Sequence, residues 1–325
     1  MTDRSELWRK VSNALYDRYE NRPPLAAIDR LEAERAVLSH SDIIACLELV
    51  ARLRQKARES DRCIRVLHAC GGFYTSYLLG ATDLDPLPPH YFCKSCGSTE
   101  FVRGKSVCRE LPPKTCACGA ELWRDGFGLP FGAYLPQSRS ADILLAATPD
   151  FIPTAEHLVR ELAAELSLDT ETDGTRISII EQEREWHEVE RCELPLPYLE
   201  DSGRLLRRRA MDMCIRYSDT KVKGRIYHRT RSYADDHIDD PTVPAFSDDI
   251  FTHVQSHMLA HGYTDSGLAY SVMVNAAHGL YGKNGMDETT RRSLLDLGIT
   301  KDYIDILTDI RYLPDKYQAI QESGG

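Results

Sequence analysis

Apolar residues recur at helical spacing along the N-terminal part of the chain. They include Leu7, Val11, Leu15, Ile43, Ile44, Leu47 and Val50. Because one face of an α-helix returns about every 3.6 residues, this spacing predicts helices over residues 5–20 and 24–58. Ser41 and Asp42 carry side-chain oxygens that favour a helix N-cap at that point.

Short runs rich in β-branched and aliphatic side chains indicate buried strands. They occupy residues 62–69, 140–147 and 176–181. Runs of this length, bounded by polar segments, are typical of strands in a protein core. Between the last two, residues 154–167 combine an apolar stripe with charged positions. This pattern predicts an amphipathic helix capped by the side chain of Thr154.

The C-terminal third of the chain has the pattern of several helices in succession. Glycines at positions 262, 282, 285 and 298 interrupt its apolar periodicity. Because glycine is unfavourable inside a helix and common after its end, these positions divide the region into segments. The predicted helices span residues 249–261, 265–279, 287–297 and 301–310.

The composition is that of an ordinary globular protein. Of 325 residues, 42% are hydrophobic, and no apolar run is long enough to span a bilayer. The N-terminal residues lack the apolar segment of a signal peptide, so we expect a cytoplasmic protein with reduced cysteines. The net charge of −10 disfavours indiscriminate nucleic-acid binding by the whole surface. The distribution of charge therefore matters more than its sum.

Five of the ten cysteines lie within residues 86–131. The close pairs among them are Cys93 with Cys96, and Cys116 with Cys118. Two such pairs about twenty residues apart have the spacing of a zinc ribbon, in which two tight turns clamp one tetrahedral ion. The second pair has one intervening residue where two are usual, so Cys108 is an alternative ligand to Cys116. We predict one zinc ion bound by four of these cysteines.

The sign of the charge changes in the second half of the chain. Residues 160–202 carry 13 acidic and 4 basic side chains, whereas residues 204–231, the basic strip, carry ten basic and two acidic ones. Arginine contacts phosphate with paired N–H groups, and Tyr217 and Tyr227 can stack on unpaired bases. The strip therefore either contacts DNA or pairs internally with the acidic stretch before it. Its candidate DNA contacts are Arg207, Arg208, Arg209, Lys221, Lys223, Arg225, Arg229 and Arg231.

The cysteine stretch resembles the zinc-bearing insert in the palm of C-family replicative DNA polymerases of the PolC type. Five short motifs carry the resemblance in the family's order: Pro-Leu-Pro-Pro-His, a Cys-x2-Cys pair, Leu-Pro-x-Lys-x-Cys, Asp-Gly, and an apolar residue before Pro-Phe. Here they are residues 86–90, Cys93 with Cys96, and residues 111–116, 125–126 and 129–131. Residues 15–34 and 248–316 also resemble the lead into the palm and the start of the fingers.

The resemblance implies an α+β fold, with a nucleotidyltransferase-like palm remnant, an inserted zinc ribbon and then a helical fingers-like region. It divides the chain into four parts. These are a palm-like first part at 1–90, the zinc ribbon at 91–126, the rest of the palm at 127–202, and the basic segment with fingers-like helices at 203–325.

Three features that the family uses for catalysis are altered. Its Gly/Ser loop, which holds the incoming triphosphate, falls on residues 65–69, where no glycine or serine stands. Its Asp-x-Asp pair for two metal ions keeps Asp142 but has Leu144 at the second position, and Asp150 lies too far along. The segment that carries the family's third catalytic aspartate is missing. We therefore expect a vestigial Asp142 and no DNA polymerase activity.

The leading hypothesis is a catalytically degenerate PolC-like protein that binds DNA or a replication protein and holds zinc as its cofactor. It would serve a replication complex, a mobile element, a phage or a defence system, away from membranes. One alternative is a nucleotidyltransferase with a metal site rebuilt from Asp142, Asp150 and an acidic residue between 181 and 190. The other is a structural subunit of a larger complex.

Overall fold

The protein consists of two compact units, Met1–Ser202 and Gly203–Ser323. The structure is a computed structural model. The described residues are 4–39, 43–67, 69–131, 142–166, 176–181, 198–216, 220–222, 225–227 and 233–322. Both units combine helices with short strands, so the fold is mixed α+β, as the sequence predicts. The finer division into palm and ribbon remains a prediction.

The first unit contains five helices and six strands among its described residues. In chain order they are α1 (Arg4–Arg18), α2 (Leu25–Leu38), α3 (Ile43–Glu59), β1 (Ile64–Val66), α4 (Tyr74–Leu79), β2 (His90–Phe92), β3 (Thr99–Phe101), β4 (Trp123–Asp125), β5 (Asp142–Ala147), α5 (Ile152–Glu165) and β6 (Arg176–Glu181).

Helix α3 is the centre of the first unit. Its side chains are buried on almost every face of the first three turns, and it packs against α1, α4, α5 and β1. A helix that is apolar nearly all round belongs in the interior, because an exposed apolar face would remain in water. Beside it lies a sheet in the order β1-β5-β6, with β1 antiparallel and β6 parallel to β5.

Two predicted helix boundaries in this unit are wrong. The helix expected over 24–58 is two helices, α2 and α3, and the proposed cap at Ser41 and Asp42 lies outside the described residues. Helix α5 begins before Thr154, which is therefore not its cap; the N-cap is Phe151, without a side-chain hydrogen bond. Pro153 explains the earlier start, since proline fits the first helical turn, where its missing N–H costs nothing.

The second unit is mainly helical. In chain order its described elements are α6 (Ser202–Met213), which begins at the unit boundary, β7 (Ile215–Arg216), β8 (Thr220–Val222), β9 (Arg225–Tyr227), α7 (Tyr233–His237), α8 (Ser247–Ala260), α9 (Gly267–Ala277), α10 (Leu280–Asn284), α11 (Glu288–Asp296), α12 (Lys301–Asp309), β10 (Ile310–Tyr312) and α13 (Lys316–Glu322).

From Ser247 onward the described helices follow the predicted pattern with two additions. Helices α8 and α9 pack against each other, and α11 and α12 begin at the side-chain caps of Asp287 and Thr300. The additional helices are α13 and the short α10, which contacts α9, α12 and β10. Strands β8 and β9 form an antiparallel hairpin within the basic strip, and β7 pairs with β10.

Candidate metal centre and nucleic-acid interface

A three-stranded antiparallel sheet, in the order β3-β2-β4, carries the cysteine stretch. Phe92 lies opposite Thr99 and Trp123 in this sheet, and its side chain belongs to the main core of the first unit. Tyr91 points to the other face, since successive residues of a strand alternate. There it packs with Leu111, Leu122 and Cys93 in a small separate cluster. The cysteines are thus placed on the far side of the sheet from the main core.

Each cysteine pair lies on a tight turn closed by backbone hydrogen bonds. In the first, the N–H of Gly97 donates to the carbonyl of Cys93 at 2.8 Å; in the second, the N–H of Gly119 donates to that of Cys116 at 2.9 Å. Both glycines have positive φ, +69° and +89°. Side chains with a Cβ rarely adopt that conformation, so glycine is the residue that lets each turn fold back.

The two turns bring four sulfur atoms together. The Sγ atoms of Cys93, Cys96, Cys116 and Cys118 lie within 4.8 Å of one another. Cys93 and Cys118 are 3.5 Å apart, and Cys96 and Cys116 are 3.6 Å apart. A tetrahedral ion with zinc–sulfur bonds of about 2.3 Å needs sulfurs about 3.8 Å apart. The donor set and its spacing therefore fit a zinc ion.

Cys108 is not a member of this group. It begins a short 3₁₀ helix, Cys108–Glu110, and its backbone N–H donates to the carbonyl of Gly126 at 2.8 Å. Its side chain is buried. Of the two alternatives that the sequence leaves open, Cys116 lies in the four-cysteine cluster and Cys108 lies outside it.

Local hydrogen bonds favour the thiolate form of two of the cysteines. The backbone N–H of Cys118 and the hydroxyl of Ser98 lower the pKa of Cys116 to about 6. Ser98, through its hydroxyl and its backbone, also lowers the pKa of Cys96. Against the lowering effect of a hydrogen bond from the Ala120 backbone, hydrogen bonds with Cys93 and Cys116 raise the pKa of Cys118 to about 11. Since the thiolate and not the thiol binds metal, the contacts of Cys96 and Cys116 prepare these two ligands for a cation at neutral pH, whereas Cys118 releases its proton on binding.

A buried ionic network fixes the sheet to the helices, and the sequence reasoning missed it. Arg18 of α1 donates to Asp125 of β4 at 2.6 Å and to Asp85 at 3.2 Å. The hydroxyl of Tyr77 in α4 also donates to Asp125, at 3.1 Å. Burial and the neighbouring Asp125 raise the pKa of Asp85, against the opposing effect of Arg18. The sequence shows the residues but not this contact, because Arg18 lies far from both aspartates along the chain.

The two aspartates expected at a catalytic centre, Asp142 and Asp150, lie toward opposite ends of strand β5. Asp142 is the first residue of β5, with Leu144 two positions on and opposite Ser178 of β6. Asp150 follows the other end of β5 and forms an ion pair with Arg62 at 2.7 Å. At about 3.3 Å per residue, the strand alone puts roughly 16 Å between its ends.

The region aligned with a triphosphate-binding loop has a different local structure. Arg65 and Val66 belong to β1, where they lie opposite Ala146 and Leu145. After this strand the chain forms a short 3₁₀ helix, Ala69–Gly72, and then α4. The fully buried carboxylate of Glu34 accepts hydrogen bonds from the N–H groups of Tyr74 and Thr75 at 2.7 and 2.8 Å.

The described part of the basic strip makes several internal contacts. Arg208 of α6 pairs with Asp235 at 2.6 Å and with Asp212 at 3.3 Å, and these carboxylates raise its pKa. Arg207 donates to the backbone carbonyls of Asp240 and Val243, both at 2.7 Å. Asp235, Asp240 and Val243 follow the strip in sequence and Asp212 lies within it, whereas the internal-pairing alternative names the acidic stretch before the strip.

The remaining predicted DNA contacts are placed only in part. Arg209 lies on α6, Lys221 on β8 and Arg225 on β9. Lys223, Arg229 and Arg231 lie outside the described residues. The structure therefore groups the strip into a helix and a hairpin of the second unit without testing contact with DNA.

Comparison with known proteins adds a relationship over part of the chain. A stretch of 147 residues, 44% of the chain, is 31% identical to DNA polymerase III PolC-type from Staphylococcus haemolyticus (strain JCSC1435). The same enzyme from Staphylococcus aureus (strain MW2) is 30% identical over a stretch of equal length. This part of the chain is homologous to PolC-type DNA polymerase III.

The PolC relationship is limited in extent. The aligned stretch covers 10% of the length of either curated relative. No protein-family profile matches the chain. Among its described helices, none is long and apolar enough to cross a membrane.

Proposed function

We propose that this protein is a PolC-related, zinc-binding module of the cytoplasm that has lost polymerase chemistry and binds DNA or a replication protein. The observation that carries the proposal is the pairing of PolC homology with a strand that offers one carboxylate where two are needed.

The loss of the two-metal centre is supported by the sequence and register of β5. Phosphoryl transfer by polymerases uses two cations about 3.5–4 Å apart, held by several carboxylates. Leu144 stands on the same side of the strand as Asp142, because alternate residues share a face. Asp150 lies beyond the opposite end of the strand and is engaged by Arg62. The alternative hypothesis is a nucleotidyltransferase with a rebuilt metal site. That site would need carboxylates from the two ends of β5 to bind the same metal ions.

The loss of triphosphate binding is supported by Glu34. Backbone N–H groups at the start of a helix can bind a phosphate oxygen. At the start of α4, those of Tyr74 and Thr75 already donate to the Glu34 carboxylate, as does the Thr75 hydroxyl at 2.8 Å. These N–H groups are therefore already occupied by a side chain of the protein itself.

A structural zinc ion is supported by the four-cysteine cluster. When bound, zinc supplies folding energy and no redox or hydrolytic chemistry, because four protein ligands leave no open position. Cys93 and Cys96 follow β2, and Cys116 and Cys118 precede β4. The ion would therefore tie together the ends of adjacent strands.

DNA contact is supported by the basic strip, which carries ten basic and two acidic side chains. We test it by fluorescence anisotropy with labelled single-stranded and duplex oligonucleotides at two salt concentrations. The Lys221→Gln/Arg225→Gln variant removes two charges from the β8–β9 hairpin. It should bind more weakly for all sequences, and its salt dependence should flatten by roughly 0.9 per lost duplex phosphate contact.

The matched control removes the same charge elsewhere in the second unit. Arg292 on α11 and Lys301 on α12 are exposed, and Arg292→Gln/Lys301→Gln should change binding less. Equal effects of the two variants would remove the basic strip as a specific surface. No binding by the wild-type protein would favour the remaining alternative, a structural subunit of a larger complex.

A further inference from the structure

The arginines of α6 form one face of the helix. Arg204, Arg207 and Arg208 are spaced at i, i+3 and i+4, which places them side by side. We call these three residues the arginine face. Across from them runs a short stretch at residues 235–240, here the acidic segment, which contains four aspartates within six positions.

The acidic segment lies directly on the arginine face. Arg204 pairs with Asp239 at 2.7 Å, and Arg208 pairs with Asp235 at 2.6 Å. Between these two ion pairs, Arg207 donates to the carbonyl of Asp240. The contacts join residues more than twenty-five positions apart in sequence, so they are tertiary contacts and not neighbours along one helix.

The two ion pairs differ from the Arg207 contact in how easily they can be displaced. The side chains of Arg204 and Asp239 are 60% and 75% exposed, and those of Arg208 and Asp235 are 42% and 44% exposed. Exposed ion pairs contribute little free energy, because water screens them and both side chains lose freedom. Arg207 instead donates to two backbone carbonyls. It can hold the segment in place while the carboxylates leave.

We propose that the acidic segment is an internal competitor for the arginine face, occupying the positions of nucleic-acid phosphates until a nucleic acid displaces it. This inference rests on the proposed DNA-binding function and adds its regulation. A carboxylate and a phosphate offer arginine the same pattern of oxygen acceptors. A phosphodiester backbone brings many such acceptors and releases counterions, which two exposed carboxylates cannot match.

Because the aspartates occupy the arginine face, a nucleic acid must displace them before it can bind there. Weak or isolated anions do not displace the aspartates, whereas a continuous backbone does. Binding should therefore be weaker than the charge of the basic strip alone would give, and removing the aspartates should strengthen it.

The experiment compares three forms of the full chain with labelled duplex and single-stranded oligonucleotides. Asp235→Asn/Asp239→Asn keeps the shape of both side chains but removes their charge. Asp296→Asn/Asp302→Asn is the matched control, since both aspartates are exposed in the same unit and lie on α11 and α12. Circular dichroism of each variant verifies that the helices remain.

The Asp235→Asn/Asp239→Asn variant should bind about 3- to 10-fold more tightly at low salt, beyond any gain of the control. Its salt dependence should steepen by roughly 0.9 on duplex, or 0.7 on a single strand, for each arginine released to a phosphate. Arg204 loses its ion pair in this variant, whereas Arg208 keeps the one with Asp212 at 3.3 Å, so most of the change should come from Arg204. The form of nucleic acid with the larger gain identifies the preferred partner.

Equal gains in the two aspartate variants would overturn the inference, because the effect would then be general electrostatics. If binding still depends on Lys221 and Arg225 in that case, the proposed DNA-binding function stands without the internal competitor. Absence of binding by all forms, the Asp235→Asn/Asp239→Asn variant included, would overturn both.

Discussion

The carboxyl group of Asp248 is buried away from water. It is 5% exposed, and its Oδ2 accepts a hydrogen bond from the N–H of Lys316 at 2.6 Å. Burial, and then the charge of Asp315, raise the pKa of Asp248 to about 8. The pKa values of Asp249 and Asp315 are also raised by burial. These three acids therefore make the second unit sensitive to pH.

The sign of this sensitivity follows from the direction of the shift. Because the folded-state pKa of Asp248 lies above its ordinary value, its stabilising contribution is full at acidic pH and is lost as pH rises through about 8. The free energy of unfolding of the second unit should fall by about 1–4 kcal/mol between pH 5 and pH 8. Asp248→Asn, which cannot ionise, should lose less.

Hydrogen exchange measures this effect within the second unit. Peptides from α8 and α13 should open more readily in the wild type at pH 8 than at pH 5, after correction for the intrinsic pH dependence of exchange. The Asp248→Asn protein should show a smaller change, and Asp296→Asn, an exposed substitution in the same unit, should behave like the wild type. A wild-type profile in the Asp248→Asn protein would contradict the assignment.

Cys108 and Cys116 give a matched pair for testing the metal site. We expect about one zinc per chain in the wild type, a clear loss of zinc in Cys116→Ser, and retention in Cys108→Ala. Cys116→Ser should also lower the melting temperature, because structural zinc contributes to folding. Elemental analysis and thermal unfolding measure both effects. Zinc retained in Cys116→Ser but lost in Cys108→Ala would reverse the ligand assignment.

At the scale of elements, the sequence predicts best where the signal is local. The apolar periodicity of α3 and α8, the strands β5 and β6, and the cysteine turns all follow from residues close together in the chain. The Arg18 network and the contact between Glu34 and α4 join distant residues, and single-sequence patterns carry no information on such pairs. For the same reason, the sequence does not predict the pairing of the arginine face with the acidic segment. Counting charges identifies a basic strip but not the acidic stretch that contacts it.

Among the contacts between helices, the one between the Glu34 side chain and the start of α4 is expected to have the largest effect on stability. Glu34 accepts from α4 and from the Arg30 side chain at 2.7 Å, in a fully buried position. Glu34→Gln should destabilise the first unit by about 1–3 kcal/mol, since a buried charged partner is removed from Arg30. Glu32→Gln on the same helix should cost less than about 0.5 kcal/mol, because Glu32 is exposed.

Tryptophan fluorescence isolates this effect from the second unit. Trp8 and Trp123 lie in the first unit, and the sequence of the second unit contains no tryptophan. Denaturant unfolding followed by tryptophan emission therefore reports the first unit. If Glu34→Gln and Glu32→Gln shift the midpoint equally, the carboxylate is not the anchor of α4 that its hydrogen bonds indicate.

At the scale of the whole molecule, the prediction is that the protein does not extend a DNA primer. Two independent features lead to it: one carboxylate, Asp142, on the strand that should carry two, and the Glu34 carboxylate at the start of α4. Because metal binding and triphosphate binding are both affected, restoring one should not restore activity. Leu144→Asp should therefore remain inactive with either magnesium or manganese.

Primer extension with labelled DNA tests this directly, with an active PolC-type polymerase in a parallel reaction to show that the conditions are sufficient. Asp142→Ala separates intrinsic activity from a contaminating polymerase, because only intrinsic activity depends on Asp142. Extension by the wild type that persists in Asp142→Ala comes from a contaminant. Extension that disappears in Asp142→Ala would mean that Asp142 still binds a catalytic metal ion. The second carboxylate would then have to come from a residue other than Leu144, and the protein would be an enzyme.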